Sequence, residues 1–200
     1  MAVVDRSGST SHMGFNKEME SALNSYFSEQ AIEPGTCLVD YVQFDGLYEK
    51  VFEDRPVSWA KAVIEPRGMT ALYDAIGRGS YELGKKFANM PESRRPGKVL
   101  VLVVTDGLEN ASREWTAGAL RDLIRKQEDK YSWEYVFLGA NMDAVEVAQT
   151  FGIKASNSLT YDTAYAGAAM ATVSGLTSTY RAGGHINITD EDRKNAVQKS

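Results

Sequence analysis

Soft metal ligands and imidazoles are scarce in this chain, whose 200 residues hold one cysteine and two histidines. Cys37 has no second cysteine to pair with, so an intrachain disulfide is impossible and nothing points to an oxidising compartment. In its apolar setting it reads as a small buried hydrophobe in a strand. A structural zinc site takes about four Cys or His ligands and a catalytic one about three. Cys37, His12 and His185 are widely separated, which argues against zinc. Neither histidine stands in a nucleophile elbow or a similar setting, which weighs against a Ser-His-Asp or Cys-His enzyme. A metal bound here would be held by oxygens.

Long apolar runs and an excess of positive charge are missing too. The longest purely apolar stretch is residues 99–104, far short of the roughly 20 residues a membrane span requires. Met1-Ala2-Val3-Val4-Asp5-Arg6 lacks the basic-then-apolar pattern of a signal peptide. With 27 Asp plus Glu against 22 Lys plus Arg, the net charge is −5. That balance argues against general nucleic-acid binding, which depends on neutralising phosphates. The expectation is a cytoplasmic protein with neither a membrane nor a nucleic acid as partner.

What is present is the composition of an ordinary globular domain, 43% hydrophobic and 24% charged. At this length one core is expected, hence a single domain over residues 1–200. Its last part, 183–200, reads as a polar tail in which Thr189-Asp190-Glu191-Asp192 starts a short helix.

Periodicity alternates short apolar runs with amphipathic helices. A β-like run over residues 1–4 ends at Asp5. Phe15, Met19, Ala22, Leu23, Tyr26 and Phe27 then recur on one helical face, stopped by Pro34-Gly35. Residues 37–44 and 47–52 flank Asp45-Gly46, a hairpin signal. Leu72, Ile76, Gly79, Leu83 and Phe87 mark a second helix, and the run 99–104, apolar on both faces, fits a central parallel strand. A helix over 116–129, a strand over 134–138, a helix over 143–151 and a weak strand over 155–159 follow. Tyr165, Ala169, Val173, Leu176 and Tyr180 form a narrow stripe, read as a helix along one edge of the domain. Trp59, Trp115 and Trp133 read as core or edge packing. The predicted fold is α/β and Rossmann-like. It has a mostly parallel six-stranded sheet, one antiparallel edge strand and helices on both faces.

In such sheets ligands bind beyond the carboxyl ends of the strands. Three segments fall there: Asp5-Arg6-Ser7-Gly8-Ser9 after the first strand, Gly68-Met69-Thr70 before the second helix, and Thr105-Asp106-Gly107 after the central strand. They offer the two carboxylates of Asp5 and Asp106 and, among others, the hydroxyls of Ser7, Ser9 and Thr70, the inventory of a hard-cation site. Oxygen-only ligation selects Mg²⁺, Mn²⁺ or Ca²⁺. Asp74, in the helix after Thr70, reads as a support of the site and not a ligand.

The order and placement of these motifs resemble the metal-ion-dependent adhesion site (MIDAS) of von Willebrand factor A domains, with a match for all five expected ligands: Asp5, Ser7, Ser9, Thr70 and Asp106. The resemblance runs to about Arg181 and looks closest to stand-alone bacterial and phage members. It is carried also by Gly68-Met69-Thr70-Ala71-Leu72-Tyr73-Asp74-Ala75-Ile76, by Thr105-Asp106-Gly107-Leu108-Glu109-Asn110-Ala111-Ser112 and by Phe137-Leu138-Gly139-Ala140-Asn141. It implies a non-enzymatic module that binds Mg²⁺ (or Mn²⁺ or Ca²⁺) and engages a partner protein's Asp or Glu through the ion. Asp5 and Asp106 would act largely through bound waters in the partner-bound state, with direct ligation by Asp106 as a weaker-binding alternative. Arg6, His12, Arg67, Met69, Glu109 and Asn110 are the expected rim that selects the partner. Two other functions fit the same rim: a Mg²⁺-dependent phosphohydrolase, and a metal-free subunit of an assembly built around an AAA+ ATPase. Against the first, the chain has no Gly-rich phosphate loop of either common type, and Arg6 is the only basic residue beside Asp5.

Overall fold

The computed structural model describes residues 1–8 and 15–197. Six strands form one sheet in the order β3-β2-β1-β4-β5-β6, where β1 is Ala2–Asp5, β2 Leu38–Phe44, β3 Tyr48–Pro56, β4 Leu100–Thr105, β5 Glu134–Ala140 and β6 Ser158–Tyr161. Every pairing is parallel except that of β2 with the edge strand β3. The architecture is the expected one. No helix among the described residues is long and apolar enough to cross a membrane.

Strand alternation divides the core in two. Val4, Leu102, Val104, Val136 and Leu138 face one layer, where they meet helix α1 (Phe15–Ile32) and helix α5 (Ala166–Arg181). Val3, Val101, Val103, Tyr135 and Phe137 face the other, covered by α2 (Leu72–Ala88), α3 (Ala117–Tyr131) and α4 (Ala144–Thr150). A short α6 (Asp190–Asn195) follows, opened by a capping box between Thr189 and Asp192. β1 has only four residues, yet all are buried between β2 and β4. This central place carries Asp5 to the middle of the carboxyl rim.

The hairpin differs in detail from the two-residue turn that Asp-Gly suggests. Its loop has three residues, and the Asp45 side chain closes it by accepting the Leu47 N–H at 2.7 Å. β3 continues to Pro56, past the expected end at residue 52. β6 lies later than expected, because residues 155–157 form a 3₁₀ turn. Helix α5 lies on the side of the sheet that ends in the edge strand β6. It packs on α1 over the sheet, with Ala169, Met170 and Val173 buried. Its buried stripe includes Ser174 and Thr177, satisfied across the helix interface by Gln30 and Tyr26, and those polar positions disguised its amphipathicity. Trp133 is buried and Trp115 half-buried, but Trp59 is 75% exposed and packs in neither core nor edge. Cys37 is half-buried just before β2, at the margin of the core and not within a strand.

Candidate metal site

Asp5 closes β1 and has no exposed surface. One carboxylate oxygen, Oδ1, accepts the Ser7 backbone N–H at 2.6 Å, and the other, Oδ2, accepts the Thr105 hydroxyl at 2.5 Å. The Thr105 hydroxyl in turn accepts the Gly107 N–H at 3.0 Å, so the loop after β4 is folded onto Asp5. Burial pushes the Asp5 carboxyl up to about 6, further raised by the charge of Asp106, while hydrogen bonds from Thr105 and Ser7 hold it down. No Lys or Arg is ion-paired to Asp5 among the described residues.

Backbone hydrogen bonds lace the three segments together. Gly8 N–H donates to the Gly68 carbonyl at 3.0 Å and Arg67 N–H to the Arg6 carbonyl at 2.7 Å, joining the first loop to the second. Gly68 has φ +78°, a left-handed conformation that glycine adopts without strain, and a Cβ there would crowd Asp45. Thr70 and Asn110 join the second loop to the third: Thr70 N–H donates to the Asn110 side-chain oxygen at 2.9 Å, and Asn110 N–H to the Thr70 carbonyl at 3.0 Å. Glu109 accepts the N–H groups of Tyr73, Ala111 and Ser112, so it caps the first turn of α2 from another segment. Asp74 accepts the N–H groups of Arg113, Glu114 and Trp115, the supporting part expected of it.

Gly107 shows how tightly the oxygens converge. A Cβ at this position would lie 2.7 Å from the Thr70 hydroxyl oxygen and 3.3 Å from Asp5 Oδ2. Oxygens from β1 and from the loop before α2 thus approach one point beside Asp106, which is half-buried. Ser7 and Thr70 are both nearly fully buried. Hydroxyls and carboxylates brought together from three loops fit a hard divalent ion. Among the described residues no group of three or more His, Cys, Asp or Glu assembles, so hydroxyls must supply part of any such shell. Ser9 and His12 lie outside the described residues.

The rim differs from the expected one. Arg6 is 4% exposed and turned under the loop, with Nε 3.2 Å from Asp45 Oδ2, Nη1 3.1 Å from Gln43 Oε1 and Nη2 2.7 Å from Glu49 Oε2. It braces the loop from beneath, since two of its three acceptors, Asp45 and Gln43, are themselves buried. Glu109 is likewise committed to backbone amides. Arg67, with its side chain 56% exposed, shares Asp45 and Glu49 with Arg6. Met69 and Asn110 are exposed, as is Leu108, a rim residue the sequence reading passed over. Thr105 was missed as well, although it belongs to the Thr-Asp-Gly motif.

No protein-family model and no curated protein sequence matches the chain. Solved structures do. Proximal thread matrix protein 1 from the mussel byssus, in a form with a zinc-occupied MIDAS motif, superposes with a TM-score of 0.65 at 16% identity over 88% of this chain and 44% of its own. The ArnB paralog VWA2 of Sulfolobus acidocaldarius (TM-score 0.52, 14% identity) covers 86% of this chain and 43% of its own. A von Willebrand factor type A protein of Catenulispora acidiphila (0.53, 15%) covers 88% and 42%. The chain therefore spans less than half the length of each of these neighbours, and it has the von Willebrand factor A fold.

Proposed function

We propose that the chain is a non-enzymatic, cation-dependent protein-binding module, whose ion is held by Asp5, Ser7, Ser9, Thr70 and Asp106. The observation that carries this reading is the convergence at Gly107, where oxygens from separate elements meet beside Asp106 and no Lys or Arg is ion-paired to Asp5 among the described residues. When bound, the ion would supply an electrophilic centre that a partner's Asp or Glu completes. Asp5 would hold its place through Thr105 and Ser7, while the neutral hydroxyls of Ser7 and Thr70 would leave the site short of negative charge. Met69, Leu108 and Asn110 would surround the partner's carboxylate. Mg²⁺ is the ion these hard donors favour, with Mn²⁺ or Ca²⁺ as substitutes. The lone Cys37 and the resemblance of the three loop motifs to those of stand-alone bacterial and phage members favour a cytoplasmic setting and such an origin.

A phosphohydrolase reading is weaker on one further point. Arg6, the basic side chain beside Asp5, is spent on Asp45, Gln43 and Glu49 and cannot clamp a phosphoryl group. The test is a melting experiment joined to capture from extract. Millimolar Mg²⁺ or Mn²⁺ should raise the melting temperature of the wild type and leave Asp5→Ala unmoved. A partner should be captured in Mg²⁺ and lost in EDTA. Equal metal responses in the two proteins would refute the site.

A further inference from the structure

Tyr161 ends β6, and its side chain is wholly buried. Its phenol oxygen has no hydrogen-bond partner among the described residues. A buried hydroxyl left without a partner is unfavourable, so its retention calls for a reason.

Sheet register supplies one. Thr105 pairs with Gly139, and Ala140 pairs with Tyr161, so Asp106, the residue after Thr105, stands level with Tyr161 two strands away. Val104, Ala140 and Tyr161 share one face of the sheet, and the two-residue alternation from Val104 carries Asp106 to that same side. The strand position between them is Ala140, whose small methyl group leaves a phenol room to extend. The backbone of Tyr161 is held in place, since its carbonyl accepts the Asn141 N–H at 2.9 Å and the Asn141 side chain donates to Thr163 at 2.9 Å. Burial first, then the charges of Asp106 and Asp5, push the phenol well above its ordinary range, so both carboxylates lie within its field and it remains an O–H donor.

We infer that Tyr161 is a positioning residue of the metal site, its O–H donating through one water to the Asp106 carboxylate and orienting it toward the cation. This rests on the cation-site reading above. Outer donors of this kind fix a ligand's direction, and their removal typically costs about 10- to 100-fold in metal affinity.

Tyr161→Phe removes the oxygen and keeps the ring. Calorimetric titration with Mg²⁺ and Mn²⁺ should show affinity weakened about tenfold, while the melting temperature in EDTA stays equal to that of the wild type or rises. Affinity within twofold of the wild type would overturn the inference, whatever the melting temperature does. A lower melting temperature in EDTA with unchanged affinity would assign the hydroxyl a purely structural part. Asp5→Ala serves as the reference: if wild type and Asp5→Ala both fail to bind either cation, the cation site itself is wrong and the inference falls with it.

Discussion

Asp5 and Arg6 are neighbours in sequence, both nearly without exposed surface, and the two buried charges are treated in opposite ways. The guanidinium of Arg6 meets two carboxylates and an amide oxygen, and Arg67 joins the same pair of acids, so two positive charges face two negative ones. The carboxylate of Asp5 meets a hydroxyl and a backbone amide, with another acid, Asp106, near enough to raise its proton affinity. One cluster is closed by its own side chains. The other leaves the Asp5 carboxylate beside a second acid with no Lys or Arg ion-paired to it among the described residues, a cost that folding alone gives no reason to bear. That asymmetry separates a brace from a binding site more sharply than burial does, since burial is the same in both.

If the Arg6 cluster is a brace, breaking it should damage the fold and only secondarily the metal response. Arg6→Ala leaves Asp45 and Gln43 buried with fewer donors. Removing one partner of a buried ion pair costs about 3–5 kcal/mol, and the remaining contact from Arg67 puts this case near the lower bound. For a chain of this size that corresponds to a melting temperature lower by roughly 6–12 °C in EDTA. The rise on adding Mg²⁺, measured from the new baseline, should survive in part. A variant that melts like the wild type in EDTA but has lost the Mg²⁺ response would reverse the assignment and put Arg6 in the binding machinery.

The sequence disclosed the Asp5 cluster and concealed the Arg6 cluster for a physical reason. Asp5, Thr70 and Asp106 announce themselves because each adjoins the end of a strand or the start of a helix, and those ends are readable from local periodicity. The continuous apolar run that became β4 fixed the middle of the sheet, and with it the rim. The partners of Arg6 lie 37 to 43 residues away. Nothing local distinguishes such an arginine from a solvated loop residue, and so it was assigned to the rim. Thr105 and Tyr161 were hidden differently. Each carries a hydroxyl on the last residue of a strand, and its meaning depends on a register that only the folded sheet supplies. The full buried face of helix α5 is hidden in the same way, because Ser174 and Thr177 look exposed until Gln30 and Tyr26 are seen opposite them.

The open charge on Asp5 also sets a pH dependence. Its carboxyl is pushed up to about 6 from an ordinary value of 3.8, burial being the main cause. The folded protein therefore holds this proton more tightly than the unfolded chain. In EDTA the stability contributed by the group is complete below about pH 4 and is lost as the pH rises through about 6. A divalent ion must displace that proton. Apparent Mg²⁺ affinity should be constant above about pH 7 and fall by about tenfold per pH unit below 6. Calorimetric titrations at pH 5, 6 and 7.5 read this directly. A flat profile would mean that Asp5 is ionised throughout, and that the contrast with Arg6 is smaller than the geometry indicates.

The smallest effect separates the two arginines within the closed cluster. Arg67 contacts the same acids as Arg6, yet its side chain is more than half exposed, and Glu49 is exposed beside it. Solvent already screens such a pair, so Arg67→Ala should lower the melting temperature by only about 1–3 °C, far less than Arg6→Ala. Because Arg67 borders the rim while Arg6 does not, its removal should alter partner capture more than stability. Salt should mimic the mutation, since roughly 0.5 M NaCl shortens the screening length to a few ångströms and weakens exposed pairs before buried ones. If Arg67→Ala destabilises the fold as much as Arg6→Ala, the four residues form one indivisible network, and exposure is the wrong measure of what each contributes.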